Sequence, residues 1–200
     1  TEIGIFCSLH ENWYELLSAE PYCLKIKGDS DYVIFNYDMI KSDFNEPIVR
    51  EARGIIFKCG NWENPVCWAF DKFFNYGELY KTKPEALRFS LKFPVTAYRK
   101  ENGFLALLSY DKENDDLFIA SKSTPDGPFA LLAREIILKN TEDFAAIKEY
   151  LKKNNVTFVF ECIDPVNDPH IIKYDKAKVV LLDIVNNTMS FEKYDFERLK

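Results

Sequence analysis

The stretch VTAYRKENGFLALLSY, residues 95–110, sets the fold class. Val95 to Arg99 is extended in character, and Phe104 to Tyr110 reads as a return strand. Asn102-Gly103 between them is the strongest short hairpin signal, because both central positions of a type I′ turn require positive φ. Residues 117–120 then read as the next strand. Strands joined by such short turns run antiparallel.

Downstream, two helices are expected. One begins at Pro128, a favourable first helical residue, with Phe129, Leu132 and Ile136 on one face; the other carries Phe144, Ile147 and Leu151 at the same spacings. Strands then resume. Residues 157–162 alternate, with Phe158 and Phe160 on one face and Thr157, Val159 and Glu161 on the other. Residues 178–185 are nearly all apolar and read as a central strand, and the tail from Tyr194 opens a helix. Upstream, residues 11–19 predict a short helix ended by Pro21, followed by strands over 32–37, 54–58 and 66–70. The pattern is α+β, mostly antiparallel, with helices inserted between strand groups.

Hydrophobic residues make up 47% of the 200 and aromatics 16%, enough for a folded core and too many for disorder. Longer apolar runs of the kind a membrane helix needs, about 20 residues, do not occur. Thr1-Glu2-Ile3-Gly4 has neither the basic flank nor the apolar stretch of a signal peptide. The five cysteines include no C-x-x-C pair and two histidines offer little to a metal, so zinc sites and disulfide frameworks are not indicated. The expectation is a reduced, cytoplasmic protein. A net charge of −6 argues against broad binding to a phosphate backbone while leaving room for a local basic cleft.

Five places carry chemistry-bearing residues, each with a plainer alternative. Lys100 in Lys100-Glu101-Asn102-Gly103 sits beside a tight turn and would be a nucleophile if its amine were neutral; it also reads as a solvated lysine. Arg53, before the strand Ile55-Ile56-Phe57, offers a planar fork to phosphate or is a surface arginine. Lys72, among Phe70, Phe73 and Phe74, would place charge beside a stacked base or snorkel from a core edge. Lys122, in Ser121-Lys122-Ser123-Thr124, suits a phosphate or ribose or belongs to a polar loop. Glu161 is a carboxylate in a strongly apolar strand and needs a partner: a ribose hydroxyl, a metal-bound water or a structural cation.

The order and spacing of these places are more specific than any one of them. The runs REARGIIF, FDKFFNYGE, YRKENGFLALLSY, IASKST and FVFECIDPVNDPHIIKYDKAKVVLLDIV resemble the bacteriophage-type RNA ligase family, over the span from about Tyr32 to the end. The resemblance implies a covalent nucleotidyltransferase domain with an antiparallel sheet, of the ATP-grasp-like ligase kind. It implies ATP and Mg²⁺, and an RNA substrate with 5′-phosphate and 3′-hydroxyl ends, such as a nicked tRNA. Lys100 resembles the AMP-carrying lysine, within a tetrapeptide whose Glu101, Asn102 and Gly103 lie against the nucleotide. Arg53 resembles the arginine that contacts the ATP phosphates or the 3′-side of the site, and Lys72 with Phe74 the basic-aromatic segment lining the pocket. Lys122 resembles the second lysine of the site, and Glu161 the glutamate that meets the ribose or organises metal; no metal ligand set is assigned.

Two departures stand out. The family's K-x-D-G has Asn102 at its third position here, as in some tRNA-repair ligases. The family's later E-G-x-V strand and K-x-K segment have no counterpart: no Glu-Gly occurs in the chain, and Lys176-Ala177-Lys178 falls too early. Residues 1–200 are therefore expected to be one adenylyltransferase domain that stops before its last motifs, or a relative that binds nucleotide or RNA ends without catalysis.

Overall fold

A computed structural model of the protein describes residues 1–188. Period-2 alternation builds its two sheets. The first holds β1 (Lys25–Gly28), β2 (Tyr32–Asn36) and β3 (Arg53–Lys58), in the order β1-β2-β3. The second holds β4 (Phe104–Asp111), β5 (Asp116–Ser121), β6 (Val156–Ile163) and β7 (Lys178–Asn186), in the order β5-β4-β6-β7. Every pairing is antiparallel.

Alternate residues divide three cores between the faces. Val33, Phe35, Ile55 and Phe57 pack against α1 (Glu2–Leu9), α2 (Trp13–Ser18) and α3 (Pro47–Glu51), through Ile3, Leu17 and Val49. Ile34 and Ile56, on the other face, meet Leu107, Phe118, Ala120 and Val159 of the second sheet. That sheet's outer face, with Ala106, Leu108, Phe158 and Phe160, packs on α5 (Pro128–Lys139) and α6 (Phe144–Asn154) through Ala133, Ile136, Ile137 and Leu151. The layers run helices, sheet, sheet, helices. The five- to eight-residue helices of the N-terminal third are too short to persist alone, so burial of residues such as Ile3 and Leu17, worth about 1.5–3 kcal/mol each, holds them. Among the described residues no helix is long and apolar enough to cross a membrane.

Several expectations are corrected. No hairpin forms across Asn102-Gly103: residues 95–103 belong to no strand, and positive φ occurs elsewhere. Both edges of β4 are occupied, by β5 and β6, which leaves none for residues 95–99. The hairpin lies one strand later, between β4 and β5, where Asp115 takes φ 48°. Strand β7 is at the edge of its sheet among the described residues. Its apolar run arises because Val179 and Leu181 face the helix-side core while Leu182 and Val185 face the other sheet. Residues 66–70 form only a bridge, Ile56 to Cys67. Helices α1 and α3, a seven-residue α4 (Pro84–Ser90) and strand β1 were not legible in the pattern. The helix expected from Tyr194 lies outside the described residues.

Candidate active site

The two sheets meet at one end through a backbone approach that only glycine permits. Gly54, the second residue of β3, takes φ +78°, and a Cβ there would stand 2.6 Å from the Lys122 carbonyl oxygen. The start of β3 thus touches the end of β5. Tyr37, just past β2, donates its N–H to the Ala52 carbonyl at 2.7 Å. The Lys122 ammonium donates to the Tyr37 hydroxyl at 3.2 Å and lies 4.5 Å from that ring's centre.

Arg53 lies between two aromatic rings, with its guanidinium carbon 4.6 Å from the Phe70 centroid and 4.8 Å from that of Phe73. Its Nε and Nη1 are buried and have no hydrogen-bond partner among the described residues. Loss of solvent pulls the Arg53 pKa below its ordinary value, opposed by the charges of Tyr37 and Glu161; an arginine keeps its proton regardless. Glu161 projects from β6 and accepts the Gly103 N–H at 2.8 Å. The close approach that Gly103 allows is to β6 itself, since a Cβ there would stand 2.0 Å from the Cys162 carbonyl oxygen.

Lys100 is at the exposed rim. Its ammonium donates to the Asn102 side-chain oxygen at 3.2 Å and to the Glu101 carbonyl at 3.3 Å. Glu101 turns toward the protein, 3.4 Å from Arg99 and 3.5 Å from Lys178. A hydrogen bond from Tyr174 is the largest influence holding its carboxyl below the ordinary range, aided by Arg99 and Lys178. The Tyr174 hydroxyl also accepts the Asn102 N–H at 2.9 Å, so the loop between β6 and β7 clamps the tetrapeptide. Lys72 lies 4.4 Å from the Phe74 centroid, and Phe74 joins Tyr37 through Phe44.

Arg53, Lys122, Glu161 and Gly103 therefore converge, Lys100 to Asn102 stand at their edge, and Lys72 with Phe74 closes one side. A buried guanidinium with unmet donors calls for an anion. Among the described residues no three histidines, cysteines or carboxylates converge. A Mg²⁺ ion commonly takes one or two carboxylates and completes its shell with substrate phosphates and water, so Glu161 is the carboxylate here that could serve one.

Residues 51–200 match the RNA ligase family. The chain belongs to the bacteriophage-type RNA ligase family.

Every candidate residue falls within the matched span. The chain is also similar to a tRNA ligase of Candida albicans, 25% identical over an alignment that covers 78% of this chain and 22% of that protein. It thus spans about a fifth of that relative's length. Relative to the family motifs, the structure adds Tyr37, Phe44 and Tyr174 to the site. Tyr37 ends a strand that was legible, but its reach to Lys122 depends on how the sheets pack. Tyr174 lies inside a matched run with no local chemistry to mark it. A recess of about 560 Å³ walled by Trp13, Tyr14, Tyr32 and Trp62 shares no residue with the site of this RNA ligase family member.

Proposed function

We propose that this chain is the adenylyltransferase portion of an ATP-dependent RNA ligase, with the nucleotidyltransferase fold of the ATP-grasp-like ligases. The observation that carries the reading is Arg53, whose buried Nε and Nη1, without a partner among the described residues, call for an anion. ATP phosphates meet that need, and Lys122 adds a second cation nearby. The neutral amine of Lys100 would attack the α-phosphorus; the new N–P bond forms as pyrophosphate leaves. Glu101 and Tyr174 would hold the lysine's segment, and Glu161 would fix the backbone at Gly103 through one oxygen while the other meets a ribose or a hydrated cation. Mg²⁺, held by Glu161 and the phosphates, would supply charge neutralisation at the phosphoryl group. AMP would then pass to the 5′-phosphate of an RNA, and a 3′-hydroxyl would displace it; a tRNA is the substrate that the Candida relative's name suggests, and a nicked one would present both ends. A cytoplasmic setting accords with five unpaired cysteines.

A second reading, a binding module without catalysis, is favoured by the position of Lys100, exposed and, among the described residues, hydrogen-bonded to its own tetrapeptide. Intact mass after incubation with ATP and Mg²⁺ separates the two. An added AMP, absent from Lys100→Ala, is expected for a ligase. Reversible nucleotide binding without an adduct, here and in a chain extended past Lys200, would leave the binding module.

A further inference from the structure

The segment from Lys72 to Lys100 holds seven lysines and arginines against two glutamates, a local charge of +5 in a chain whose net charge is −6. It is also held away from the three cores. Helix α4 buries no residue, and all thirteen residues from Arg88 to Lys100 are exposed. Among the described residues, no backbone–backbone hydrogen bond fixes residues 92–101. Phe89, Phe93 and Tyr98 are 88, 77 and 85% exposed, and none has a ring partner among the described residues. Folded proteins seldom leave three aromatic rings so open within ten residues unless something covers them.

The interleaving says what does. Along the exposed run Arg88 precedes Phe89, Lys92 precedes Phe93 and Arg99 follows Tyr98, so each ring has a cation next to it in sequence, and Lys83 precedes α4. Cations spaced between open aromatic faces match a single-stranded polynucleotide, which offers phosphates at regular intervals and unpaired bases to stack. An apolar protein partner would leave the charges unanswered, and a duplex would hide the base faces. The run ends at Lys100, so a strand lying along it is delivered to the rim of the site. From this placement we infer that residues 83–99 form a docking surface for single-stranded RNA leading to the candidate lysine. The inference rests on the ligase reading for its direction, not for its chemistry.

The test is fluorescence anisotropy with a labelled single-stranded oligoribonucleotide of about 12 nucleotides, across a salt series. The combined variant Phe89→Ala, Phe93→Ala, Tyr98→Ala is expected to bind at least about 100-fold more weakly, on a minimum of about five-fold for each of the three lost stacks. The combined variant Lys83→Gln, Arg88→Gln, Lys92→Gln should reduce the log–log salt slope by about 2, from about 0.7 per phosphate contact. Thermal midpoints should not move, because the side chains are exposed. Unchanged affinity and slope in both variants would overturn the inference. So would equal affinity for a duplex, or protection of residues 89–98 from hydrogen exchange in the RNA-free full chain, which would mean that protein covers them. AMP labelling of Lys100, read in the same samples, keeps the failures apart. Labelling with ring-independent RNA binding sinks this surface alone; ring-dependent binding without labelling sinks the catalytic reading alone.

Discussion

Arg53 poses an energetic question that its surroundings answer. Each buried, unmet N–H costs about 1–3 kcal/mol, and each cation–π contact returns about 0.5–2 kcal/mol. With two orphan donors and two rings, the terms nearly cancel, so the arginine gains the nucleotide-free protein little. Arg53→Met keeps the apolar packing between Phe70 and Phe73 and removes the orphans. Its stability is expected to stay within about 1 kcal/mol of the parent, while the thermal shift on adding ATP is lost, since only a ligand that prefers the native state raises the midpoint. Scanning fluorimetry with and without ATP decides it: a lowered midpoint with an intact ATP shift would make Arg53 structural. The letters of the sequence flagged Arg53, Lys122 and Glu161, yet not that one depends on another. Tyr37 is bridged to Lys122 across 85 positions of chain, a relation no local spacing can express.

Helix α1 shows how an element depends on a residue far along the chain. Its first turn is capped by Glu51, the last residue of α3, which accepts the Glu2 N–H at 3.0 Å and the Ile3 N–H at 2.7 Å. Burial pushes the Glu51 carboxyl up to about 7, against the pull of those two donors. A folded-state pKa above the ordinary 4.5 contributes stability that is complete below the ordinary value and is lost as pH rises through about 7. The difference in unfolding free energy between the parent and Glu51→Gln should therefore shift against the parent from pH 4.5 to pH 8 in urea titrations. Glu51→Ala, which loses the cap at every pH, should cost about 1–2 kcal/mol. A pH-independent difference would show that the carboxylate is stabilised in place. The cap also explains why α1 escaped the sequence reading: eight residues with no amphipathic signal of their own are held by a partner 49 positions away. Elements with strong periodicity, such as β6, α5 and α6, were legible. The Asn102-Gly103 hairpin failed for the converse reason, since a correct local turn signal yielded to pairing of β4 on both its edges.

Across the whole molecule, the sheets are joined at both ends, by different means. At the candidate site, the backbone of Gly54 meets that of Lys122. At the other end, Asp111 of β4 accepts the Tyr32 hydroxyl of β2 at 2.5 Å and the Asn114 amide at 2.6 Å, with Lys58 of β3 3.8 Å away. The five steps of β3 from Arg53 to Lys58 separate the two ends by about 17 Å. Although burial opposes it, hydrogen bonds from Tyr32 and Asn114 hold the Asp111 carboxyl below its ordinary 3.8. A lowered folded-state pKa contributes stability that is present above the ordinary value and is lost as pH falls through the lower one. Asp111→Ala is thus expected to cost about 2 kcal/mol at neutral pH, because the Tyr32 hydroxyl loses the acceptor of its proton and keeps the Asn114 amide as its donor at 3.2 Å. The loss is moderated because Lys58 keeps Glu113 at 3.4 Å, and it should shrink in strong acid. Its ATP-induced thermal shift should equal the parent's, the reverse of Arg53→Met, because sites this far apart with no shared partner act additively. A double variant of Arg53→Met and Asp111→Ala should show both losses in full. If Asp111→Ala instead weakened ATP binding as well, the two ends would be coupled, and the packed faces between them, Ile34 and Ile56 against Leu107 and Val159, would be the rigid body that carries the coupling.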